Sequence, residues 1–320
     1  MNHKETTLRE KADEFLIYKR GIGYIYDTQA HYLMKYITYA EMLSADIRMP
    51  DKNSVMSFLD DYSDAPGALY GATAVLREFG RHLHSIGINE AYIVPAKRMP
   101  KLTPEPPYFF REIEIEAFFE VCDQIQPHKS LPGRELVVPV LFRLLYCCGM
   151  RCKEVRTLAY SDVHLEQCFI DVIQSKGPKS RRIYINKELA GYLNTYDISV
   201  KAIFSDRTHF FPHTANGFYT SGMVSKNFQR YWRKAFPDFP VGTRTRAYDF
   251  RHHFAWTNLN RWAKEGLDVN IMLPYLMRYM GHQTVESTLY YFRFVPDFYP
   301  TYQELSVSAE DILPEVPDEE

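Results

Sequence analysis

Five residues between positions 151 and 291 carry side chains suited to an attack on a phosphodiester. They are Arg151, Lys176, Arg251, His282 and Tyr291, and Tyr291 stands 40 positions after Arg251 and nine after His282. Arginine offers a planar, permanently charged group that fits phosphate oxygens. Tyrosine offers an oxygen nucleophile and therefore a covalent intermediate. The set indicates cleavage of a phosphodiester without a metal ion.

Three short motifs contain or precede these residues. Residues 149–154 read GMRCKE, residues 248–255 read YDFRHHFA, and residues 280–282 read MGH ahead of Tyr291. In this order and spacing the set resembles the tyrosine recombinases, also called phage-type integrases, which cut and rejoin DNA. The resemblance covers roughly residues 10–300 in layout, while the specific motifs are confined to the span from the first arginine to the last tyrosine.

The resemblance implies a role for each residue. Arg151 and Arg251 bind the phosphate oxygens, and His282 hydrogen-bonds the phosphate. Lys176 protonates the departing 5′ oxygen, and Tyr291 attacks the phosphorus to form a 3′-phosphotyrosyl link. A hydroxyl of a second strand then reverses the reaction through a four-way junction. Because the covalent bond stores the energy, no cofactor and no metal are implied.

Three positions leave alternatives open. Lys179 is a rival of Lys176, and the basic segment around both could simply bind the DNA backbone. Glu154, one helical turn after Arg151, either orients that guanidinium or forms an ordinary exposed helix pair. Where the family usually has His or Lys, three residues before the second arginine, this chain has Tyr248, an uncharged donor that we expect to substitute only in part.

The two histidines after Arg251 are expected to be structural. A residue that directly follows Arg251 should point elsewhere on the helix, and this applies to His252 and to its neighbour His253. The expectation for His282 differs, because it follows Gly281 in the family's motif. Together with the arginines, His282 is expected to supply a positive field that helps Tyr291 to lose its proton.

Charge is distributed unevenly along the chain. The net charge is −2. A DNA-binding protein is expected to be basic, because lysine and arginine side chains dominate the affinity for nucleic acid. Residues 304–320 carry seven acids and no lysine or arginine, and without these seven negative charges residues 1–303 carry a net charge of +5. The basic residues predicted to contact DNA are Lys97, Arg98, Lys101, Lys179, Arg181, Arg182, Arg244 and Arg246.

A proline-rich segment marks the clearest boundary. Five prolines stand between Ala91 and Pro107, a composition that favours an extended and stiff linker. Its basic residues suit a segment that crosses DNA, or a linker exposed to solvent. The prediction is an N-terminal helical DNA-binding domain, a linker, a catalytic domain and an acidic tail, at residues 1–92, 93–107, 108–303 and 304–320.

The expected fold class is mainly α with a small β-hairpin or sheet, which the resemblance divides into a helical core-binding domain and a tyrosine-recombinase catalytic domain. Apolar spacing predicts helices over residues 8–19, after a Thr28 cap, from 53 or 54, and over 69–86. Further helices are predicted over 111–125, 135–158 with a break near Gly149, 187–196, 221–236, 249–264 and within 275–291. Strands at 168–174 and 181–185 form a hairpin with Lys176 near its tip.

Several classes of protein are excluded. The longest apolar run, residues 137–150, is interrupted by Arg143 and is too short for a membrane span. The five cysteines lack the paired spacing of a zinc site, and their odd number without a signal peptide indicates reduced thiols in a cytoplasm. The glycine loop of nucleotide-binding proteins and the motifs of zinc and serine hydrolases do not occur.

The resemblance also implies partners. They are double-stranded DNA with specific recombination sites, further copies of the chain in a tetramer on DNA, and accessory proteins, in integration, excision or resolution of a mobile element. An apolar cluster after Tyr291 is expected to dock on a neighbouring copy or on its own domain. Its members are Phe292, Phe294, Val295, Phe298 and Tyr299. A type IB topoisomerase and a catalytically weak architectural DNA-binding protein are the alternatives, the latter because of Tyr248 and the modest net charge.

Overall fold

The structure is a computed structural model that describes residues 6–44, 46–101, 106–173, 180–240, 242–282, 284–291 and 294. The chain divides into two compact units, Met1–Glu105 and Pro106–Glu320. The predicted acidic tail and the tip of the predicted hairpin, with Lys176 and Lys179, lie outside the described residues. None of the helices in these ranges combines the length and the apolar character that a bilayer crossing requires.

The described part of the first unit is helical. Its helices are α1 (Leu8–Gly21), α2 (Asp27–Leu43), α3 (Lys52–Asp60) and α4 (Pro66–Ser85). Thr7 and Glu10 cap the start of α1 reciprocally, and the Asp51 carboxylate accepts two backbone N–H groups at the start of α3. The predicted Thr28 cap is wrong, because α2 begins at Asp27 after Tyr26, whose φ is 55°.

The apolar faces of these helices meet in one core. Large buried side chains such as Phe15, Leu33, Tyr36 and Phe79 belong to it. The start of the predicted linker belongs to the same body, because Val94 is buried in this core and its carbonyl accepts a hydrogen bond from Arg77. Val94 therefore packs on the first unit.

The second unit contains more helices and two small sheets. Its helices in the described ranges are α5 (Glu112–Asp123), α6 (Arg134–Cys148), α7 (Cys152–Arg156), α8 (Lys187–Lys201), α9 (Ser221–Ala235), α10 (Asp249–Lys264), α11 (Val269–Met280) and α12 (Glu286–Leu289). Its strands are β1 (Val163–His164), β2 (Phe169–Val172), β3 (Arg181–Tyr184), β4 (Pro212–Thr214) and β5 (Gly217–Phe218).

The two sheets are antiparallel. One has the strand order β1-β2-β3, with Phe169 opposite Tyr184 and Val172 opposite Arg181. The other pairs β4 with β5. The pairing of β2 with β3 confirms the predicted hairpin strands, whereas β1, β4 and β5 were not predicted. These three strands have two or three residues each, too few to show an alternating pattern.

The long apolar helix α6 ends where the sequence places a break. Gly149 follows α6 with a φ of 55°, and Arg151 is the N-cap of α7. A left-handed backbone favours glycine, and the site is also crowded. A Cβ at position 149 would lie 2.5 Å from Cδ1 of Phe254 on α10. The predicted break, and with it the position of Arg151 at a helix start, is confirmed.

A substitution at Gly149 measures this crowding. We expect Gly149→Ala to lower the free energy of unfolding of the second unit by about 3 kcal/mol, from backbone strain plus overpacking. The control is Gly266→Ala at the end of α10, where φ is 66° and no atom lies within 4 Å of the added Cβ. Strain alone should cost about 1 kcal/mol there.

Urea unfolding followed by tryptophan fluorescence is the measurement, because all three tryptophans (Trp232, Trp256 and Trp262) lie in the second unit. Equal losses in the two variants would show that the Phe254 contact adds nothing.

Candidate active site

The carboxyl end of α11 is bound by three arginines from distant parts of the second unit. The carbonyls of Tyr279, Met280 and Gly281 accept hydrogen bonds from Arg181 Nε at 2.8 Å, Arg251 Nη2 at 2.6 Å and Arg151 Nη2 at 2.7 Å, respectively. Carbonyls at a helix end lack partners within the helix and carry partial negative charge. Three cations satisfy them here, and the backbone continues directly to His282.

Glu154 connects two of these arginines. Its carboxylate accepts two bonds from Arg181, at 2.9 and 2.7 Å, and one from Arg151 Nη1 at 2.8 Å. It also accepts a hydrogen bond of 2.8 Å from the backbone N–H of Arg151, and this bond caps the start of α7. Burial opposes ionisation of Glu154, but the hydrogen bonds and charge of Arg181, supported by Arg151, hold its pKa below the usual range. Of the two alternatives, the ordinary exposed pair is wrong, because the Glu154 side chain is 4% exposed.

Arg251 is the most deeply buried of the three cations. It lies on α10, is 2% exposed, and donates a second bond from Nη1 to the Gly149 carbonyl at 2.7 Å. Burial, together with the charge of Arg151, lowers the pKa of Arg251 to about 10, so it remains charged at neutral pH. Arg251 therefore holds the α6–α7 break against the end of α11.

Tyr291 lies beside these cations with its hydroxyl next to a histidine. The side chain is 3% exposed, and its oxygen is 3.0 Å from Nδ1 of His252. Burial raises the pKa of Tyr291, and the opposing charge of Arg251 does not overcome this. In the protein alone the phenol is therefore protonated at neutral pH.

His282 stacks on Tyr291, and the charges of the arginines act on its imidazole. Its ring lies nearly parallel to that of Tyr291, with centroids 6.2 Å apart, and its Nδ1 is 2.6 Å from Oγ1 of Thr288. Burial, followed by the charges of Arg251 and Arg151, lowers the pKa of His282 to about 3. The expectation that His282 adds positive charge is therefore wrong, because a neutral imidazole is the stable form there.

Tyr248 lies at the edge of this cluster. It is the N-cap of α10 and is 42% exposed, and the centroid of its ring is 4.9 Å from that of His252. The structure thus brings together Arg151, Glu154, Tyr248, Arg251, His282 and Tyr291 of the predicted set. Two charged donor groups next to a phenol can bind an anion and present a nucleophile to it.

The basic residues predicted to contact DNA have different environments. Lys97, Arg98, Lys101, Arg182 and Arg244 are exposed. Arg182 is paired with Asp171 at 2.9 Å, and Arg246 is paired with Asp249 at 2.8 Å. Arg181, which is also predicted to contact DNA, lies in a buried ion pair with Glu154. Its side chain is 7% exposed because Glu154 and the Tyr279 carbonyl enclose its guanidinium.

Sequence reasoning missed the contacts of Arg181 and of His252. His252 was expected to point away from the site, yet the direction about 100° round the helix from Arg251 is where Tyr291 lies. No spacing rule reveals a contact across 39 residues, although a histidine beside a predicted catalytic arginine was a signal. His253 lies as expected in an aromatic cluster with Phe110 and Tyr146.

Of the apolar cluster predicted after Tyr291, the structure describes one residue, Phe294. The Phe294 ring lies 5.1 Å from that of Phe109, and its carbonyl accepts a bond from Trp256 Nε1 at 3.0 Å. This residue docks on its own unit. The other four members lie outside the described residues. Within the described ranges, no group of three or more His, Cys, Asp or Glu residues is placed to hold a metal ion.

Comparisons with known proteins find matches over more than half of the chain. The profile of the Phage integrase family matches residues 109–295. The putative integrase/recombinase y4rE of Sinorhizobium fredii is 27% identical over 290 residues, which cover 89% of this chain and 91% of that protein. The tyrosine recombinase XerA of Pyrococcus furiosus is 24% identical over 294 residues, 91% of this chain and 92% of that protein.

The fold also has relatives among solved structures. One is the crystal structure of a lambda integrase(75-356) dimer bound to a COC′ core site. It matches the present structure with a TM-score of 0.61 at 18% sequence identity. The similarity covers 88% of this chain and 97% of that one. The second unit and the helical unit before it therefore share the general fold of that protein.

Replacing Glu154 tests how strongly its carboxylate holds the arginines. At neutral pH we expect Glu154→Gln to lower the free energy of unfolding by about 3 kcal/mol, because two poorly exposed guanidiniums lose their counter-charge. The folded pKa of Glu154 is lowered, so its stabilisation is complete above the unfolded value of about 4.3 and disappears as the pH falls through the folded value. The difference between variant and parent should therefore shrink at acid pH.

The measurement is urea unfolding by tryptophan fluorescence at pH 7 and at successively lower pH. Asp171→Asn is the matched control, because Asp171 pairs with an arginine whose side chain is 46% exposed. It should cost less than about 1 kcal/mol. A loss for Glu154→Gln as small as that of the control would contradict a central role of this carboxylate.

Proposed function

The chain belongs to the phage integrase family of tyrosine recombinases, and from this premise we propose how its residues cut and rejoin DNA. Tyr291 attacks a phosphodiester and forms a 3′-phosphotyrosyl bond, which releases a 5′ hydroxyl. The hydroxyl of a second strand then attacks that bond. Two such exchanges between specific sites, through a Holliday junction, would integrate, excise or resolve a mobile element.

One observation carries the proposal. Arg151 and Arg251, which are 100 positions apart, bond to neighbouring carbonyls at the end of α11, and Tyr291 lies within the same cluster. A core made only for stability would have little use for two cations beside a buried phenol, because desolvating charges is costly. A phosphate bound at this place would be in contact with both guanidiniums and with the nucleophile.

The guanidiniums keep capacity for such a phosphate. Each has five N–H donors, while Arg251 uses Nη1 and Nη2 for one carbonyl each. Arg151 likewise donates from Nη1 to Glu154 and from Nη2 to Gly281. These bonds fix the two planes before substrate arrives. Charge that develops on the phosphate in the transition state then meets donors that need no rearrangement.

The remaining roles rest on the sequence. Lys176 is proposed as the acid that protonates the departing 5′ oxygen, with Lys179 as its alternative. Tyr248, half-exposed at the rim, is proposed to donate a hydrogen bond to a phosphate oxygen. His282, neutral and in contact with Thr288 through Nδ1, is proposed to hydrogen-bond the phosphate.

DNA binding is proposed for both units. Residues 1–92 would form a core-binding domain, and 93–107 would form a linker whose Val94 packs on that domain and whose Lys97, Arg98 and Lys101 are exposed. Residues 108–303 would form the catalytic domain, followed by the acidic tail. The lambda integrase structure contains a dimer on one core site. A reaction between two sites would then need four copies on DNA, and accessory proteins are a further proposal.

Replacing the nucleophile is the direct test. We expect Tyr291→Phe to form no covalent protein–DNA adduct, because only the attacking oxygen is lost. Its DNA affinity should remain within about twofold of the parent, because affinity rests on phosphate contacts. DNA that the parent traps covalently from its native genome would be sequenced to identify the cut site. Nicked duplexes with that sequence would then be assayed for adduct on denaturing gels.

Tyr290→Phe is the control. The side chain of this preceding residue points about 100° away from that of Tyr291 round the helix axis, so its hydroxyl should be dispensable. Adduct formation by Tyr291→Phe together with its loss in Tyr290→Phe would move the nucleophile by one residue. Absence of any adduct with the parent protein would overturn the proposed reaction.

Cleavage by the parent is expected to persist in excess EDTA. Arginine and lysine side chains supply the charge stabilisation that a divalent metal provides in other phosphoryl-transfer sites, so the rate should change by less than about twofold. Initial rates of adduct formation with and without chelator are the measurement. A loss of cleavage in EDTA that magnesium restores would contradict the metal-free mechanism.

A further inference from the structure

The hydroxyl of the proposed nucleophile is in contact with a histidine that the sequence motifs do not assign. Nδ1 of His252 and the oxygen of Tyr291 are 3.0 Å apart, and the ring centroids are 5.5 Å apart. This is a hydrogen-bond distance. His252 lies on α10, next to Arg251, so the helix that places a phosphate-binding cation also places an imidazole at the phenol.

The protonation state of His252 suits it to accept a hydrogen bond. Burial, followed by the charges of Arg246 and Arg251, lowers its pKa to about 4, so the imidazole is neutral at physiological pH. A neutral imidazole has one ring nitrogen that donates and one that accepts. The two arginines whose charges act on Tyr291, Arg251 and Arg151, can only donate. Neither of them can take the phenolic proton.

We propose that His252 is a catalytic residue whose Nδ1 accepts the hydroxyl proton of Tyr291 as the phenol attacks phosphorus. This inference rests on the proposed function. In the resting state, the tautomer with its hydrogen on Nε2 leaves Nδ1 to accept the bond from the hydroxyl and to orient the oxygen. Tyr248, where the sequence departs from the family pattern, packs edge-on against the same imidazole, with an interplanar angle of 81°.

The proton and bond changes balance in both directions. In cleavage, the bond from Tyr291 oxygen to phosphorus forms, the phenolic proton moves to Nδ1, and His252 becomes an imidazolium. The bond from phosphorus to the 5′ oxygen breaks, and that oxygen takes a proton from the proposed acid, Lys176. In rejoining, a 5′ hydroxyl attacks phosphorus, its proton returns to the lysine, and the imidazolium protonates the departing phenol oxygen.

A bound phosphate favours the transfer. The positive charges that depress the basicity of His252 are compensated when a phosphodiester anion lies against Arg251. The imidazolium then becomes less costly in the complex than in the free protein. The titratable and charged groups that face His252 come from α10, from the segment before it and from the region of α11 and α12: Arg246, Tyr248, Arg251, His282, Tyr290 and Tyr291.

The pH dependence of cleavage separates proton transfer from a structural role. The substrate is a nicked duplex of the recovered site in which sulfur replaces the 5′ bridging oxygen at the cut. Because a thiolate leaves without a proton, cleavage of this substrate does not need Lys176 as an acid. The cleavage rate then reports on activation of the nucleophile. The parent rate should be nearly constant between about pH 6 and pH 9, since the base is neutral throughout. In His252→Ala the phenol must ionise unaided, so the rate should rise by about tenfold per pH unit.

Two further variants make the result decisive. His252→Asn keeps an acceptor near the place of Nδ1 but cannot hold the proton, and we expect the same rising profile as for alanine. His253→Phe, in the adjacent aromatic cluster, should keep the flat profile of the parent. At pH 7, both substitutions of His252 should lower the rate by about 100-fold while DNA affinity is retained.

Circular dichroism would establish that each variant is folded, and His252→Asn provides the test if the alanine variant is not. A flat profile in His252→Asn, or a loss that is the same at every pH, would overturn the proton-acceptor role while leaving adduct formation by the parent intact. A parent that forms no adduct would instead refute the proposed reaction itself.

Discussion

The arrangement of the second unit depends on one interaction, the binding of three arginines at the carboxyl end of α11. Arg151, Arg181 and Arg251 come from a helix start, a strand and a helix interior, and they meet at three consecutive carbonyls. A helix end presents several carbonyls within a few ångströms, all with the same sign of partial charge. It therefore assembles like charges that would otherwise repel, and Glu154 neutralises part of the excess.

The electrostatic consequences extend to two histidines and the proposed nucleophile. Burial, supported by nearby arginine charges, keeps His252 and His282 neutral, and burial keeps Tyr291 protonated. In the protein without DNA, the hydroxyl of Tyr291 is thus not activated for attack. In the proposed reaction the phosphodiester changes these protonation preferences when it binds, so that activation and substrate binding are the same event. This coupling would protect a buried phenol from reacting with other electrophiles.

Part of the fold could be predicted from local pattern. The bounds of α10, the break at Gly149 and the strands β2 and β3 follow from apolar spacing and from glycine chemistry. The family motifs located Arg151, Arg251 and Tyr291. What the sequence could not reveal were contacts between segments: Arg181 with Glu154 across 27 positions, and His252 with Tyr291 across 39. Such pairs depend on how the helices pack, and the direction of a side chain becomes meaningful only when its neighbour is known.

The pairing of one carboxylate, that of Glu154, with two arginines also affects the stability of the protein without DNA. Glu154 serves Arg151 and Arg181, while the deeply buried Arg251 has carbonyl dipoles as its described hydrogen-bond partners. The apo state therefore retains electrostatic self-energy that an incoming anion relieves. By mass action, any ligand that binds this folded unit preferentially also stabilises it. The DNA backbone would thus be a folding partner of the second unit as well as its substrate, and the nucleoprotein complex would be a thermodynamic unit more resistant to unfolding than the protein alone.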